Sequence, residues 1–302
     1  MKQNLHVKKS SFFRAAALCL AMSCTPLAAW ALGVGEWMGV NGHYGQQIML
    51  KVLTIDSSAG TATASVISNN YNYTGGVTIE NQYSYTSLEM NSEGDFYYHT
   101  YTINVTAIDE IAFQYNNNIT SVVVQPAVAI PDKAFSSCEN LESVSFENAT
   151  SLGENAFMNC EKLKSVSWGN SEFTEIPLMA FIHCDSLTEI TIPASVTKIR
   201  SDAFAKCTSL KKVTVKGTTP PTCNRYAFDK VDLSSCTLIV PEQSKALYET
   251  ADVWNTFGKI ETGLRSVTVD EAGRANGKYI EGGRIVIVKG GVKYNMLGQV
   301  IR

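Results

Sequence analysis

The sequence lacks the motifs that most enzymes and metal sites require. Its four histidines are far apart, at His6, His43, His99 and His183. It contains no His-Glu-x-x-His, Gly-x-Ser-x-Gly, phosphate-binding loop or calcium-binding loop. Its cysteines do not form the Cys-x-x-Cys pairs that are typical of zinc sites. We therefore predict a protein that is not an enzyme and that has no catalytic, metal-binding or cofactor-binding residues.

Positive charge and long apolar segments are also scarce. The chain has 25 Lys and Arg against 28 Asp and Glu, and charged residues make up only 18% of it. Four of the basic residues lie within residues 1–31, so the rest of the chain carries 21 basic and 28 acidic residues, a net charge of −7. This balance disfavours nucleic acid as a partner. The apolar run at 15–22 is too short to span a bilayer, and no transmembrane segment is predicted after it.

The first 31 residues have the pattern of an export signal. A basic start precedes the apolar run, and Ala29-Trp30-Ala31 forms a small-x-small cleavage site. We predict cleavage after Ala31 and an exported protein that is secreted, exposed on the cell surface or associated with an outer membrane. The alternative is a lipoprotein with Cys24 as the acylated residue, although position 21 holds alanine instead of the usual leucine.

One pattern is written five times between Ile108 and Val215: an aliphatic residue, three variable residues, Ala-Phe, two variable residues, usually Cys, then Leu-x-x-Val-x-apolar. The copies start at Ile108, Ile130, Leu152, Ile176 and Ile199. A period in the low twenties is the signature of a leucine-rich-repeat solenoid, whose coils bury their apolar sides against their neighbours. The alternation in each copy predicts a short strand, and repetition makes these strands a parallel sheet. We expect the Ala-Phe segment to form a helical turn, with Phe in the middle of the coil.

The motif Ile-Pro-x-x-Ala-Phe-x-x-Cys-x-x-Leu-x-x-Val, as it stands at Ile130–Val144 and Ile176–Ile190, resembles the BspA-like leucine-rich repeats of Bacteroidetes surface proteins. With its flanking pieces, the resemblance covers about residues 71–260. It implies a short, β-rich α+β repeat solenoid with a parallel sheet. It says little about function, because members of the family serve as adhesins, as binding modules or as proteins without an assigned role.

The regions before and after the repeats are predicted to close the solenoid. Residues 32–107 alternate as strands do and are predicted to form an N-terminal β cap. The solenoid itself is predicted at 108–262, with a degraded last repeat and a C-terminal cap made of a strand and a helix. We place that strand at Thr237–Val240 and expect the helix to start near Pro241. The apolar stripe of the helix is predicted to consist of Leu247, Ala251 and Trp254.

The C-terminal end is predicted to be a separate piece. Residues 263–277 are polar and contain glycine, as linkers do, and residues 278–302 read as a β-hairpin with a Gly-Gly turn. The ending from Tyr294 to Ile301 resembles the C-terminal sorting signals of Bacteroidetes secreted proteins. It is much shorter than a full type IX sorting domain, so a simple hairpin tail is the alternative.

Six cysteines remain once the export signal is removed, and four of them recur at one position of successive coils. These four are Cys138, Cys160, Cys184 and Cys207. Equivalent side chains of stacked coils point in parallel, whereas a disulfide needs its two Cβ atoms to converge. We therefore predict buried, reduced thiols. A bond between Cys223 and Cys236 is possible in an oxidising compartment.

The outward positions of the predicted strands form the candidate partner-binding face. They are Ser121, Val123, Ser143, Ser145, Ser165, Ser167, Glu189, Thr191, Lys212 and Thr214. We predict a monomeric surface protein that adheres to a protein or glycan partner through this face; the simpler interpretation is a solvated polar surface. The alternative function is an accessory subunit of glycan uptake, or an enzyme with an unrecognised site. An enzyme would need a carboxylate pair or a nucleophile there, which Glu189 alone does not provide.

Overall fold

The computed structural model describes residues 34–41, 47–68, 73–90 and 93–263, together with 268–269, 275–281, 284–289, 292–294 and 300 of the tail. The predicted export signal and Cys24 lie outside the described residues. Most of the chain forms short β-strands. The fold is the predicted β-rich repeat solenoid.

The N-terminal part folds into a five-stranded sheet. Its strands are β1 (Trp37–Asn41), β2 (Gln47–Asp56), β3 (Thr61–Val66), β5 (Gln82–Met90) and β6 (Phe96–Ile108), in the order β1-β2-β3-β6-β5. All neighbours are antiparallel except β3 and β6. The inward positions are mostly apolar, although Ser65, Ser87 and Glu89 are buried as well. Hydroxyl groups of the buried tyrosines at this sheet form hydrogen bonds. The Tyr73 hydroxyl, for example, donates to the Ile67 carbonyl at 2.8 Å and accepts from the Met49 amide at 3.1 Å.

The strand β4 (Gly75–Ile79) leaves this sheet and starts the solenoid by pairing with the first repeat. It falls within the region predicted as a cap at 32–107, and that domain boundary stays a prediction. The longer strands of the coils follow it as β7 (Ile119–Val124), β9 (Ser143–Phe146), β11 (Ser165–Ser167), β13 (Glu189–Ile192), β15 (Lys212–Val215), β17 (Thr237–Val240) and β18 (Lys259–Thr262). All of the pairs formed within this set are parallel.

A second side of each coil is a two-residue strand. These strands are β8 (Ala129–Ile130), β10 (Ser151–Leu152), β12 (Glu175–Ile176), β14 (Lys198–Ile199) and β16 (Thr222–Cys223), and their pairs are parallel as well. In the first four of these strands, the second residue points into the core. In β16 the second residue is half-buried. The coil therefore has two strand sides, which the Ala-Phe segment connects.

The prediction of a helical turn at Ala-Phe is wrong. The segment is a series of hydrogen-bonded turns in which two residues per coil take left-handed backbone angles, such as Asn155 at φ 56° and Asn159 at φ 60°. This conformation turns the amide of Phe157 towards the next coil, where it donates to the Ala180 carbonyl at 2.8 Å. The same bond recurs from Phe113 to Ala134 and onwards, so the turns form a third cross-coil ladder.

The centre of the solenoid is a column of aromatic rings. The rings of Phe135, Phe157 and Phe181 stack with centroids 5.2 Å apart, and these three side chains have no solvent exposure. The column continues to Tyr73 at one end and to Phe228 at the other. The predicted burial of the repeat phenylalanines is confirmed.

Both series of strand pairs are interrupted between the same two coils, the one that contains Phe157 and the one that contains Phe181. No pairing joins β11 to β13 or β10 to β12 among the described residues. Two prolines each remove one hydrogen-bond donor at this place. Between the next two coils, the Lys216 amide donates to Ile192 O and the Arg200 amide to Ile176 O. Pro193 and Pro177 occupy the equivalent positions one coil earlier, and proline has no amide hydrogen to donate.

The coil before this interruption is also two residues longer than the two before it, since Leu152 and Ile176 are 24 positions apart whereas the earlier copies start 22 apart. The additional residues form a turn after Trp168, in which the Ser171 amide donates to the Trp168 carbonyl at 2.8 Å. The Trp168 indole N–H crosses the gap and donates to the Thr191 carbonyl at 2.9 Å. A side chain thus replaces part of the missing ladder.

The C-terminal cap differs from the predicted helix. The helix α1 runs only from Lys245 to Thr250, because Ala251 takes an extended conformation. Its buried side chain is Tyr248, whereas Leu247 is 52% exposed. The predicted stripe of Leu247, Ala251 and Trp254 on one helix is therefore wrong. Trp254 is fully buried from a separate 3₁₀ turn, Trp254–Thr256, and its indole N–H donates to Pro221 O at 2.9 Å.

The tail contains four further strands. They are β19 (Thr268–Val269), β20 (Ala275–Glu281), β21 (Arg284–Lys289) and β22 (Val292–Tyr294), which pair antiparallel in chain order. The assignments of 263–277 as a linker and of 278–302 as a sorting signal remain predictions.

Candidate ligand-binding face

The predicted face residues lie in two rows, but on two sheets instead of one. In the first sheet, Ser121, Ser143 and Ser165 are direct neighbours in the register. Val123, Ser145 and Ser167 form the parallel row in the same sheet. In the second sheet, Glu189 pairs with Lys212, and Thr191 pairs with Thr214. We call these ten residues the sheet face. The interruption between β11 and β13 divides it after Ser167.

Alternation along the strands positions these side chains. Their inward neighbours, such as Val144 and Val213, are buried, so the sheet-face residues point outwards. Ser165, Ser167 and Glu189 are exposed, and the other seven are partly exposed. Most of the side chains are short and uncharged.

Both rows are longer than the sequence predicted. At the N-terminal end, Thr78 of β4 lies beside Val123. At the C-terminal end, Thr237 and Ile239 of β17 continue the two rows, and Lys259 and Glu261 of β18 follow them. The strand β17 was predicted as part of the C-terminal cap, but its outward residues were not assigned to the face. The strands β4 and β18 were missed because their segments lack the complete Ala-Phe-x-x-Cys motif. The alternation in Gly-Val-Thr-Ile and Thr-Leu-Ile-Val is the signal that could have placed them.

The charges at the sheet face occur as pairs. Lys212 forms an ion pair with Glu189 on the neighbouring strand, and Lys259 pairs with Glu261. Beside the serine rows, Lys164 Nζ lies 2.8 Å from a Glu142 carboxylate oxygen, and this hydrogen bond lowers the pKa of Glu142 below its usual value. Exposed pairs of this kind add little stability. They leave the face close to neutral and rich in hydroxyl groups.

The second strand side also carries paired charges. Arg200 lies 3.2 Å from Glu175 and 3.7 Å from Glu154, and Lys198 lies 3.5 Å from Glu175. Each of these two carboxylates is paired with a basic side chain. They are therefore not arranged as the pair of carboxylates that would act as general acid and general base.

The cysteines lie in the core, as expected. Cys138, Cys160, Cys184 and Cys207 have no exposure, and each thiol donates to the carbonyl of the phenylalanine one coil earlier, at 3.0 to 3.3 Å. Cys223 and Cys236 are separate free thiols, so the possible bond between them is not formed. In the described part of the chain, no group of three or more His, Cys, Asp or Glu side chains is placed to hold a metal ion.

Comparison with known proteins identifies the family. The model of the BspA type leucine rich repeat region matches the chain in 6 copies, over residues 71–164 and 128–251. The chain belongs to the BspA-type leucine-rich repeat family. No curated protein matches it. Within the described residues, no helix combines the length and the apolar character needed to cross a membrane.

Solved structures of other bacterial leucine-rich repeat proteins resemble this member of the family. A leucine rich cell surface protein from Faecalibacterium prausnitzii is 19% identical with a TM-score of 0.41, and the match covers 89% of this chain and 62% of that one. The T. pallidum leucine rich repeat protein is 14% identical with a TM-score of 0.40, covering 70% and 78%. A leucine-rich repeat protein from Bacteroides capillosus is 24% identical with a TM-score of 0.28, covering 62% and 98%. This chain therefore spans less than two thirds of the Faecalibacterium protein.

Proposed function

We propose that this BspA-type leucine-rich repeat protein is an exported, non-enzymatic protein of the cell surface that binds a protein or glycan partner through the sheet face. The observation that carries the proposal is the pair of outward rows, which place hydroxyl groups at a regular spacing of about 4.8 Å from strand to strand. Binding other proteins is the usual role of leucine-rich repeat proteins, and the family match supports it.

The test places a long charged side chain in the middle of the face. Ser145→Arg and Ser165→Arg are expected to weaken binding by at least about tenfold, a loss of about 1.4 kcal/mol. Binding is measured against immobilised host matrix proteins and on a glycan array. Ser151→Arg is the matched control, because Ser151 is an exposed serine of β10 on the second strand side. Unchanged binding by both sheet-face variants would show that the partner contacts another surface.

Export is tested on protein from its natural host. Cleavage after Ala31 predicts an intact mass that corresponds to a chain starting at Leu32. A lipid-modified Cys24 as the first residue would instead assign the protein to the lipoproteins. A mature chain that retains Met1 would contradict export.

A further inference from the structure

Strands β5 and β6 extend beyond the N-terminal sheet as a two-stranded ribbon. They pair with each other from Gln82↔Asn104 to Met90↔Phe96, whereas β3 pairs with β6 only from Thr102 onwards. We call residues 85–90 and 96–101 the ribbon. A two-stranded hairpin is marginally stable in water unless one of its faces is packed.

On one face of the ribbon, side chains of both strands donate hydrogen bonds to a buried carboxylate. Glu89 is 8% exposed and accepts hydrogen bonds from the hydroxyls of Ser87 at 2.7 Å, Tyr101 at 2.8 Å and Tyr97 at 3.1 Å. The His99 ring stacks on Tyr101 with centroids 4.4 Å apart, and its Nδ1 lies 3.5 Å from Glu89. These contacts join both strands, so the ribbon keeps a defined shape outside the sheet.

The opposite face of the ribbon presents aromatic rings to solvent. Phe96 is 63% exposed and Tyr98 is 78% exposed. They are two residues apart in β6, so they share a face. Aromatic side chains give a large contact area and lose little rotamer freedom on binding. Serine and threonine, which make up most of the sheet face, are under-represented among the residues that dominate binding energy. The ribbon therefore offers exposed aromatic side chains, which the sheet face lacks.

The charge around these rings indicates the chemistry of a partner. Residues 34–107 contain six carboxylates and one basic residue, Lys51. Two of the carboxylates, Glu93 and Asp95, are exposed immediately before Phe96. Arginine pairs with carboxylates and also stacks on aromatic faces. We propose that the ribbon is a second binding surface, separate from the sheet face, and that its partner is a protein segment with Arg or Lys side chains next to apolar ones.

The experiment uses two biotinylated peptides of equal length, one alternating Arg and Leu and the other alternating Glu and Leu. Biolayer interferometry at low salt is expected to show binding of the full-length protein to the Arg-Leu peptide alone. Phe96→Ser/Tyr98→Ser is expected to weaken that binding by about tenfold or more. The matched control is Tyr226→Ser, which removes a 47% exposed tyrosine from the last coil and should bind like the wild type.

A second variant tests the charge without removing the rings. Glu93→Lys/Asp95→Lys should also weaken binding to the Arg-Leu peptide, and added salt should weaken binding by the wild type, because salt screens exposed charges. Unchanged thermal unfolding confirms that both double variants are folded. Ser145→Arg should leave peptide binding intact, which separates this proposal from the one for the sheet face.

Three results would overturn the proposal. The first is equal binding of both peptides, or full binding by the Phe96→Ser/Tyr98→Ser variant. The second is glycan-array binding that depends on Phe96 and Tyr98 when neither peptide binds, which would assign the ribbon to saccharides. The third is light scattering that shows a dimer of the wild type and a monomer of the double variant, which would make a second copy the partner.

Discussion

At the scale of single residues, the repeat positions have two different physical roles. Phenylalanine fills the centre of each coil, whereas cysteine fills a small space and satisfies a backbone carbonyl of the previous coil. Asn116 replaces cysteine in the first copy and is likewise buried, at 1% exposure. Its side-chain oxygen accepts the Asn118 amide at 3.0 Å. Asn116 thus fills the position, but it accepts a local hydrogen bond where the cysteine thiols donate to the previous coil.

Removing a ring from the middle of the column should be costly. Phe157→Ala and Phe181→Ala are each expected to lower the free energy of unfolding by about 3 to 5 kcal/mol, because each leaves a cavity between two coils. Denaturant unfolding measures the loss. Phe96→Ala is the control, since its side chain is 63% exposed and should change stability by less than about 0.5 kcal/mol. Midpoints near the wild type for both core variants would contradict the repeat register.

The cysteines should be unreactive until the protein unfolds. Burial raises the pKa of Cys138 to about 12 and the pKa of Cys160 well above its usual value, so neither forms the reactive thiolate at neutral pH. Maleimide counting should label few thiols in the native state, and at least the four repeat cysteines after unfolding without reductant. Labelling that appears only after reduction would show disulfides and contradict the prediction.

At the scale of elements, the strands were predictable where apolar and polar residues alternate within the repeat. The left-handed turns were not. Lys133, His183 and Lys206 have positive φ angles, although none is glycine or asparagine. Their conformation is imposed by hydrogen bonds to the next coil, such as Lys133 N to Glu154 O at 3.0 Å, and not by local preference. Leu247 shows the same limit, because helical spacing alone did not reveal where α1 ends.

The ribbon should loosen in acid. Burial raises the pKa of Glu89, but hydrogen bonds from Ser87, Tyr101 and Tyr97 and the nearby His99 outweigh it, so the pKa lies below the ordinary 4.5. A lowered pKa means that the stabilisation is present above pH 4.5 and is lost as the pH falls through the folded-state value.

Amide hydrogen exchange at 97–101, corrected for intrinsic rates, measures this loosening. Exchange should rise on acidification in the wild type, and Glu89→Gln should remove most of this pH dependence. The amides of Phe157 and Asn159 serve as the internal reference, because they donate to the backbone carbonyls of Ala180 and Ile182 and not to an ionisable side chain. An equal rise in wild type and variant would show that another group titrates.

At the scale of the whole molecule, family and architecture could be predicted because a repeated apolar pattern has one stacking solution. The identity of the partner could not, because the outward positions face solvent and the core places no constraint on them. The exposed aromatics of the ribbon lie outside the repeats, where consecutive aromatic residues at 96–98 hide the alternation that puts Tyr98 and the buried Tyr101 on opposite faces. Pro177 and Pro193 were visible in the sequence, but their effect depends on which coil they face.

The C-terminal cap should protect the nearest coils more than the distant ones. Trp254→Ala is expected to destabilise the protein by about 3 to 5 kcal/mol, because the indole is fully buried against the last coil. Stacked coils contact only their neighbours, so hydrogen exchange should increase most around Phe228 and least around Phe113. A uniform increase along the chain would mean that the solenoid unfolds as one cooperative unit.

The interruption of the strand pairs has a mechanical consequence. A protein held at one end and bound at the other carries tension along the solenoid axis. Where both strand ladders are formed, as between the coils of β13 and β15, they share that load with the turn ladder. Between the coils of Phe157 and Phe181, the described contacts include the turn ladder, the stacked rings and the hydrogen bond from Trp168 to Thr191. The Cys184 thiol and the Ser186 amide each add one hydrogen bond, to Phe157 O and Glu161 O. Under force the two halves of the array should part there first, while the strands within each half remain paired.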